Sequence, residues 1–197
     1  MDIMKAYNII AGIITSQLNC ACTASKSQDG QSVVFTINGY PTFPDGVEQD
    51  VIVTYPFSWL QLSKSGDGTV EVIANTINFR EIRFWQGRIG NPFIHAWVFD
   101  DGRPCYGVSS KGRGDTVPEY IRHLILTLRF KNITRDSLKV GSPATLKMGK
   151  TYDEILRNTQ IQATRVEKKY NLRLINNINF SKWIDDEYIK RTVKLNW

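Results

Sequence analysis

Apolar residues recur in this chain with two different periods, and the change between them constrains the fold more than any single motif. Near the N-terminus Ile3, Tyr7, Ile10, Ile14 and Leu18 follow one another at steps of four, three, four and four. That spacing places them on one face of an α-helix. Further on, Val51, Val53, Tyr55, Phe57 and Trp59 alternate with their neighbours, as on a strand with one buried face. From residue 151 the longer period returns. Tyr152, Leu156, Thr159, Ala163, Val166 and Tyr170 form a helical stripe, and Thr151 with Glu154 has the spacing of a capping box. A length of 197 residues suits one well-buried domain. The pattern predicts an α+β fold: a single domain with a mostly antiparallel β-sheet core, an N-terminal amphipathic helix and C-terminal helices. The expected boundaries are 1–24 for the N-terminal helix, 32–148 for the β-rich core and 151–197 for the helical region.

Glycine and proline punctuate the β-rich stretch. Asn38-Gly39, between apolar runs, reads as a hairpin turn because both residues tolerate positive φ. "PDG" at 44–46 and "KSGDG" at 64–68 read as further turns. Pro56 inside the alternating run points to an edge strand or a bulge. Residues 69–86 read as two strands or one bulged strand. "FIHAWVF" (93–99) is apolar on both faces, like a central strand, and "DDGRP" (100–104) turns the chain. In "HLILTLRF", Leu124, Leu126, Leu128 and Phe130 share one face of an alternating strand.

The charge is polarised along the chain. The net charge is +6, yet residues 1–77 carry three basic and seven acidic side chains, and the remainder 22 basic and 12 acidic. A net of −4 therefore faces a net of +10. Such a basic half suits phosphate on nucleic acid or lipid, or an acidic neighbour such as another copy's acidic half. Three groups of residues are candidates for that surface. Lys111 and Arg113 lie in "SSKGRGDTVPEY", which lacks the order of a nucleotide-binding P-loop but forms a flexible loop able to meet phosphate. Arg157, Arg165 and Lys168 fall opposite the stripe of the 151–170 helix, with Lys169 and Arg173 flanking them. Arg80, Arg83 and Arg88 interleave with Phe79, Phe84 and Trp85. Cations and aromatic faces together can hold single-stranded nucleic acid. Alternation, however, is expected to turn these aromatics inward and leave only the arginines on the surface.

Catalytic chemistry is poorly supported. Cys20, Cys22 and Cys105 are too few for a disulfide framework, and their odd number suits a reducing compartment. His95 and His123 are the only histidines and no metal-ligand spacing appears, so no metal or cofactor is expected. Asp100, Asp101, Asp115 and Glu119 are the remaining candidate acids and bases, and Asp100-Asp101-Gly102 is a common turn. "MKAYNIIAGIITSQLNCACTAS" loosely imitates a secretion signal, but Asn8 interrupts its apolar core, which fades at Thr15-Ser16-Gln17. A retained helix and an intracellular location, cytoplasmic or within a virion, are expected.

"HLILTLRFKNITRDSLKVGSP" resembles the late core of rhabdovirus matrix proteins in its order of alternating strand, polar turn and Ser-Leu step. Size, basic charge, few cysteines and the lack of catalytic motifs are similar too, whereas the short proline-rich motifs found near the N-terminus of many such proteins are missing. The resemblance implies a non-enzymatic viral structural protein that self-associates and bridges a ribonucleoprotein to a membrane. The leading expectation is therefore an assembly protein whose basic surface binds ribonucleoprotein, RNA or anionic membrane, with a homo-oligomer as its working form. One alternative is an RNA-binding regulator or silencing suppressor. The other is a metal-dependent nuclease or related phosphoryl-transfer enzyme using Asp100, Asp101 or Glu119.

Overall fold

Helix α1 (Met4–Leu18) opens the fold, and the Asp2 carboxylate caps it by accepting the Met4 amide at 3.0 Å. The structure, a computed structural model, describes residues 2–18, 20–42, 47–68, 70–75, 77–95, 98–104, 124 and 128. Tyr7, Ile10, Ile14 and Leu18 are all buried, as their spacing predicts, and Ile3 is partly buried against the core. Ala6, Ala11 and Ile13 join them. The buried face is thus wider than the stripe alone, as a helix laid across a sheet requires.

Six strands follow: β1 (Cys22–Lys26), β2 (Ser32–Pro41), β3 (Glu48–Pro56), β4 (Leu60–Lys64), β5 (Val70–Ala74) and β6 (Arg83–Gln86). A four-stranded sheet runs in the order β1-β2-β3-β6, and β4 pairs with β5 in a second, small sheet. Every strand pair is antiparallel, so the α+β architecture with an antiparallel sheet and an N-terminal helix holds. Register places Ala24, Phe35, Val53 and Phe84 side by side. This inner face meets α1. Tyr7 stands edge-on to Phe35 with ring centroids 6.3 Å apart, and Tyr55 stacks on Trp59 at 4.6 Å.

Tyr7 also ties the helix to the turn that follows β3. Its hydroxyl donates to the Phe57 carbonyl at 2.7 Å and accepts the Leu60 amide at 3.0 Å. Burial pushes this phenol up to about 12, and the Leu60 amide offsets only part of the rise. The 3₁₀ turn Phe57–Trp59 is thereby fixed beneath α1.

Several local expectations are corrected. The N-terminal helix stops at Leu18, where its apolar stripe ends, and Cys22–Lys26 is a strand instead of the end of a helix. The Thr15 hydroxyl accepts the Cys22 amide at 3.0 Å and closes that corner. Asn38-Gly39 is no hairpin turn: both lie within β2, where register slips by one residue between Ile37 and Tyr40. Gly39 has φ 65, so the positive φ serves a β-bulge, and the Asp50 carboxylate accepts the Gly39 amide at 3.2 Å. Strand β3 begins earlier than the alternation suggests and ends at Pro56, with Phe57 and Trp59 in the 3₁₀ turn. It is an interior strand. Pro56 faces Ser32 on β2 but is tolerated because β6 pairs only with Val51–Thr54, leaving Pro56 unpaired on that side.

The described residues of 93–99, namely 93–95, 98 and 99, form no central strand. Phe93, His95 and Val98 are buried, but Val98 makes only an isolated bridge to Pro104. The Phe93 amide donates to the Phe84 carbonyl at 3.1 Å and the Ile94 amide to Gln86 Oε1 at 3.3 Å, so part of the anchoring is by side chain. Leu124 and Leu128 are helical, not extended, and both are buried in the same core. A four-residue step fits one face of a helix as well as one face of a strand, and leucine favours the helix. The Tyr40 hydroxyl donates to the Leu128 carbonyl at 2.5 Å.

Other expectations hold. Residues 64–68 turn β4 into β5, with Gly68 at φ 87. Residues 69–86 contain two strands separated by the 3₁₀ turn Phe79–Glu81. The "PDG" turn and the helical region 151–197 lie outside the described residues. Among the described residues no helix is long and apolar enough to cross a membrane.

Candidate functional site

The face of the four-stranded sheet turned away from α1 carries a different chemistry. Two cross-strand rows form it: Ser25, Val34, Thr54 and Arg83, then Thr23, Thr36, Ile52 and Trp85. A groove of about 760 Å³ lies over the first row and reaches Trp85 of the second, lined by Ser25, Ser27, Thr54, Arg83 and Trp85 among others. That volume falls within the range of small-ligand sites, roughly 300–1,000 Å³.

Trp85 is partly exposed and held in place. Its indole Nε1 donates to the Thr54 hydroxyl at 3.2 Å. On its other side stands the turn 100–104, whose Gly102 carbonyl accepts the Phe84 amide at 2.8 Å. Gly102 has φ 88, and a Cβ there would lie 2.9 Å from the Phe84 carbonyl oxygen and 3.6 Å from Trp85 Cζ3. Only glycine lets this turn press so closely on β6. The indole is therefore bounded by a hydroxyl on β3 and by a tight turn beyond β6.

Arg83 occupies the same face. Its Nη1 donates to the Ile82 carbonyl at 2.9 Å and to the Arg80 carbonyl. These two contacts use one end of a fork that carries five donors. The Lys26 side chain also borders the groove, but its ammonium lies 4.3 Å from the centre of the Phe57 ring. Two carboxylates stand at the rim, each engaged in its own loop. Asp29 accepts the Ser27 hydroxyl at 2.6 Å and the Gln31 amide at 3.0 Å, and the Ser27 hydroxyl above all holds it below the usual carboxylate range. Glu81 Oε2 accepts the Asn78 amide at 2.9 Å.

Of the sequence-derived candidates, Arg80 and Arg88 are exposed just before and just after β6, and Arg83 is partly exposed on it. The three are thus gathered about one short strand. Lys111, Arg113, Arg157, Arg165, Lys168, Lys169 and Arg173 lie outside the described residues. The expectation for the aromatics is corrected in one respect: Phe84 is inward, but Trp85 faces the groove. The signal was present, since neighbours on a strand must face opposite ways and Trp85 shares its parity with Arg83. Thr54 and the serines of the groove had no distinguishing mark in the sequence.

Of the candidate acids, bases and cysteines, Asp101, His95 and Cys22 are held by their surroundings, whereas Cys105, Asp115 and His123 lie outside the described residues. Asp100 is exposed. Asp101 pairs with Arg103 at 2.5 Å; burial pushes its carboxyl up, but Arg103's amide and side chain, with Arg83's charge, hold it below the usual range. Glu119 lies outside the described residues. His95 is buried and stacks on Phe93 with centroids 5.4 Å apart. Burial, with Cys20 beside it, pushes the Cys22 thiol up to about 12, which leaves little thiolate at neutral pH. Among the described residues no three His, Cys, Asp or Glu side chains are placed to hold a metal ion. The arrangement offers stacking, hydroxyl hydrogen bonds and one anchored guanidinium. Neither a family model, nor a curated protein, nor a solved structure matches this chain.

Proposed function

We propose that this protein is a non-enzymatic assembly protein that binds RNA or ribonucleoprotein through a basic surface and self-associates. The observation that carries the reading is the position of Trp85: partly exposed, fixed, and on the same sheet face as Arg83, with Arg80 and Arg88 at the two ends of β6. An aromatic platform beside cations binds single-stranded nucleic acid by stacking and counterion release together. The charge distribution supports it, because residues 105–197 contain 18 basic and nine acidic side chains. The resemblance to rhabdovirus matrix proteins favours a viral, intracellular setting. RNA is preferred over a lipid surface on a specific ground. Among the described residues the exposed large apolar ones, Val47, Ile73 and Ile89, belong to separate elements, before β3, in β5 and after β6, whereas the partly exposed Trp85 offers a ring face on which a base can stack.

Binding of single-stranded RNA, duplex RNA and vesicles of anionic lipid across a salt series, with size analysis at each step, tests the proposal. RNA should bind without cleavage when magnesium is added, and affinity should fall with salt by about 0.7 log units per log unit for each phosphate contact. Vesicle binding without RNA binding would move the basic surface to the membrane. Magnesium-dependent cleavage would favour the nuclease reading instead.

A further inference from the structure

We infer that the groove over the outer sheet face is a nucleotide subsite in which an unpaired RNA base stacks on Trp85, with Arg83 beside it. This rests on the RNA-binding reading and deepens it by naming where, and by which force, a single base is held.

The charge of the groove decides which force dominates. Lys26 and Arg83 are balanced by Asp29 and Glu81, and the Lys26 ammonium is directed to the Phe57 ring. Such a site gains little from phosphate neutralisation alone. What it offers is a flat indole held by Thr54 and bordered by the Gly102 turn, within a groove of about 760 Å³. Every base has a π-face that such a ring can meet, so the site is indifferent to sequence. Ser25 and Ser32 line the same groove, and their hydroxyls are a donor-acceptor pair suited to the sugar, whereas the Ser27 hydroxyl is committed to Asp29 and the Ser32 amide. Arg83 keeps guanidinium donors beyond Nη1 for the adjoining phosphate. A duplex presents no free base face, so the subsite is specific for single strands.

The test uses the full chain and a short oligouridylate, with a duplex RNA as the comparison. Trp85→Ala should weaken oligouridylate binding at least about fivefold and leave duplex binding unchanged, while Trp85→Phe, which keeps a ring, should stay within a few-fold of the wild type. The ratio of wild-type to Trp85→Ala affinity should not change with salt, because stacking releases no counterions. Arg83→Gln should instead lower the salt slope by about 0.7. Ultraviolet crosslinking of the unmodified protein to the same oligomer, mapped by mass spectrometry, needs no variant and should mark the peptide containing Trp85. Equal binding by Trp85→Ala, or crosslinks confined to residues 105–197, would overturn the subsite and leave RNA binding to the remaining basic residues. If the wild type binds neither RNA, the proposed function and the subsite fall together.

Discussion

The inner and outer faces of the four-stranded sheet are made by the same strands, yet they are built for different ends. Phe35 and Thr36 are neighbours on β2 and point opposite ways. Phe35, Val53 and Phe84 are fully buried in the core that α1 closes, and their neighbours Thr36, Ile52 and Trp85 form a row on the far side. The inner face is aromatic, aliphatic and closed. The outer face is mixed, with hydroxyls, one anchored arginine and one oriented indole. Burial of apolar surface, at about 25 cal/mol per Å², makes the first face the source of stability. The second face has few such contacts to lose, which leaves it available for recognition.

The comparison breaks most sharply by truncating one side chain on each face. Phe35→Ala should lower stability by about 3–5 kcal/mol, measured by denaturant unfolding, whereas Thr36→Ala should change it by less than about 0.5 kcal/mol. Equal losses would mean that the outer face is packed as the inner one is.

Gly102→Ala should come next. The left-handed φ and the 2.9 Å approach to the Phe84 carbonyl oxygen predict a loss of about 1–3 kcal/mol. Because the turn borders Trp85, the same change should alter that indole's emission. A melt unchanged by the substitution would show that the turn does not need glycine.

Tyr7→Phe sharpens the account of the inner face. It removes both hydrogen bonds of a buried hydroxyl and leaves the Phe57 carbonyl and the Leu60 amide without that partner, which should cost about 1–3 kcal/mol. The pH dependence has a definite sign. A phenol at about 12 in the folded chain, raised from 10.0, contributes stability that is whole below pH 10 and lost as pH rises toward 12. Cys22, raised from 9.0 to about 12, acts in the same direction from a lower pH. Alkaline destabilisation above pH 9 should therefore be shallower in Tyr7→Phe, as read from melting temperature against pH.

The smallest stability effect belongs to the rim of the outer face. Arg80→Gln with Arg88→Gln should each alter stability by less than about 0.5 kcal/mol. Together they should reduce the salt slope of single-strand RNA binding by up to about 1.4. An unchanged slope beside an unchanged melt would make these two arginines ordinary solvated charges.

Sequence alone determined the parts whose cause is local and repeated. The stripe of α1, the alternation of β3 and the glycine turn after β4 each rest on several residues that agree, and each is present in the structure. The general outward course of Arg80, Arg83 and Arg88 was legible for the same reason. Tertiary structure decided the rest, because the local signal there fits two outcomes equally well. A positive φ at Gly39 serves a turn or a bulge, and only the pairing of β2 with β3 selected the bulge. Leu124 and Leu128 fit a strand or a helix, and they entered the core in the helical form. The groove is the clearest case. Ser25, Thr54 and Trp85 are widely separated along the chain, and nothing in the spacing of one predicts the others. Long-range strand pairing brings them together, and the closure of α1 over the opposite face decides which side of the sheet is left for a ligand.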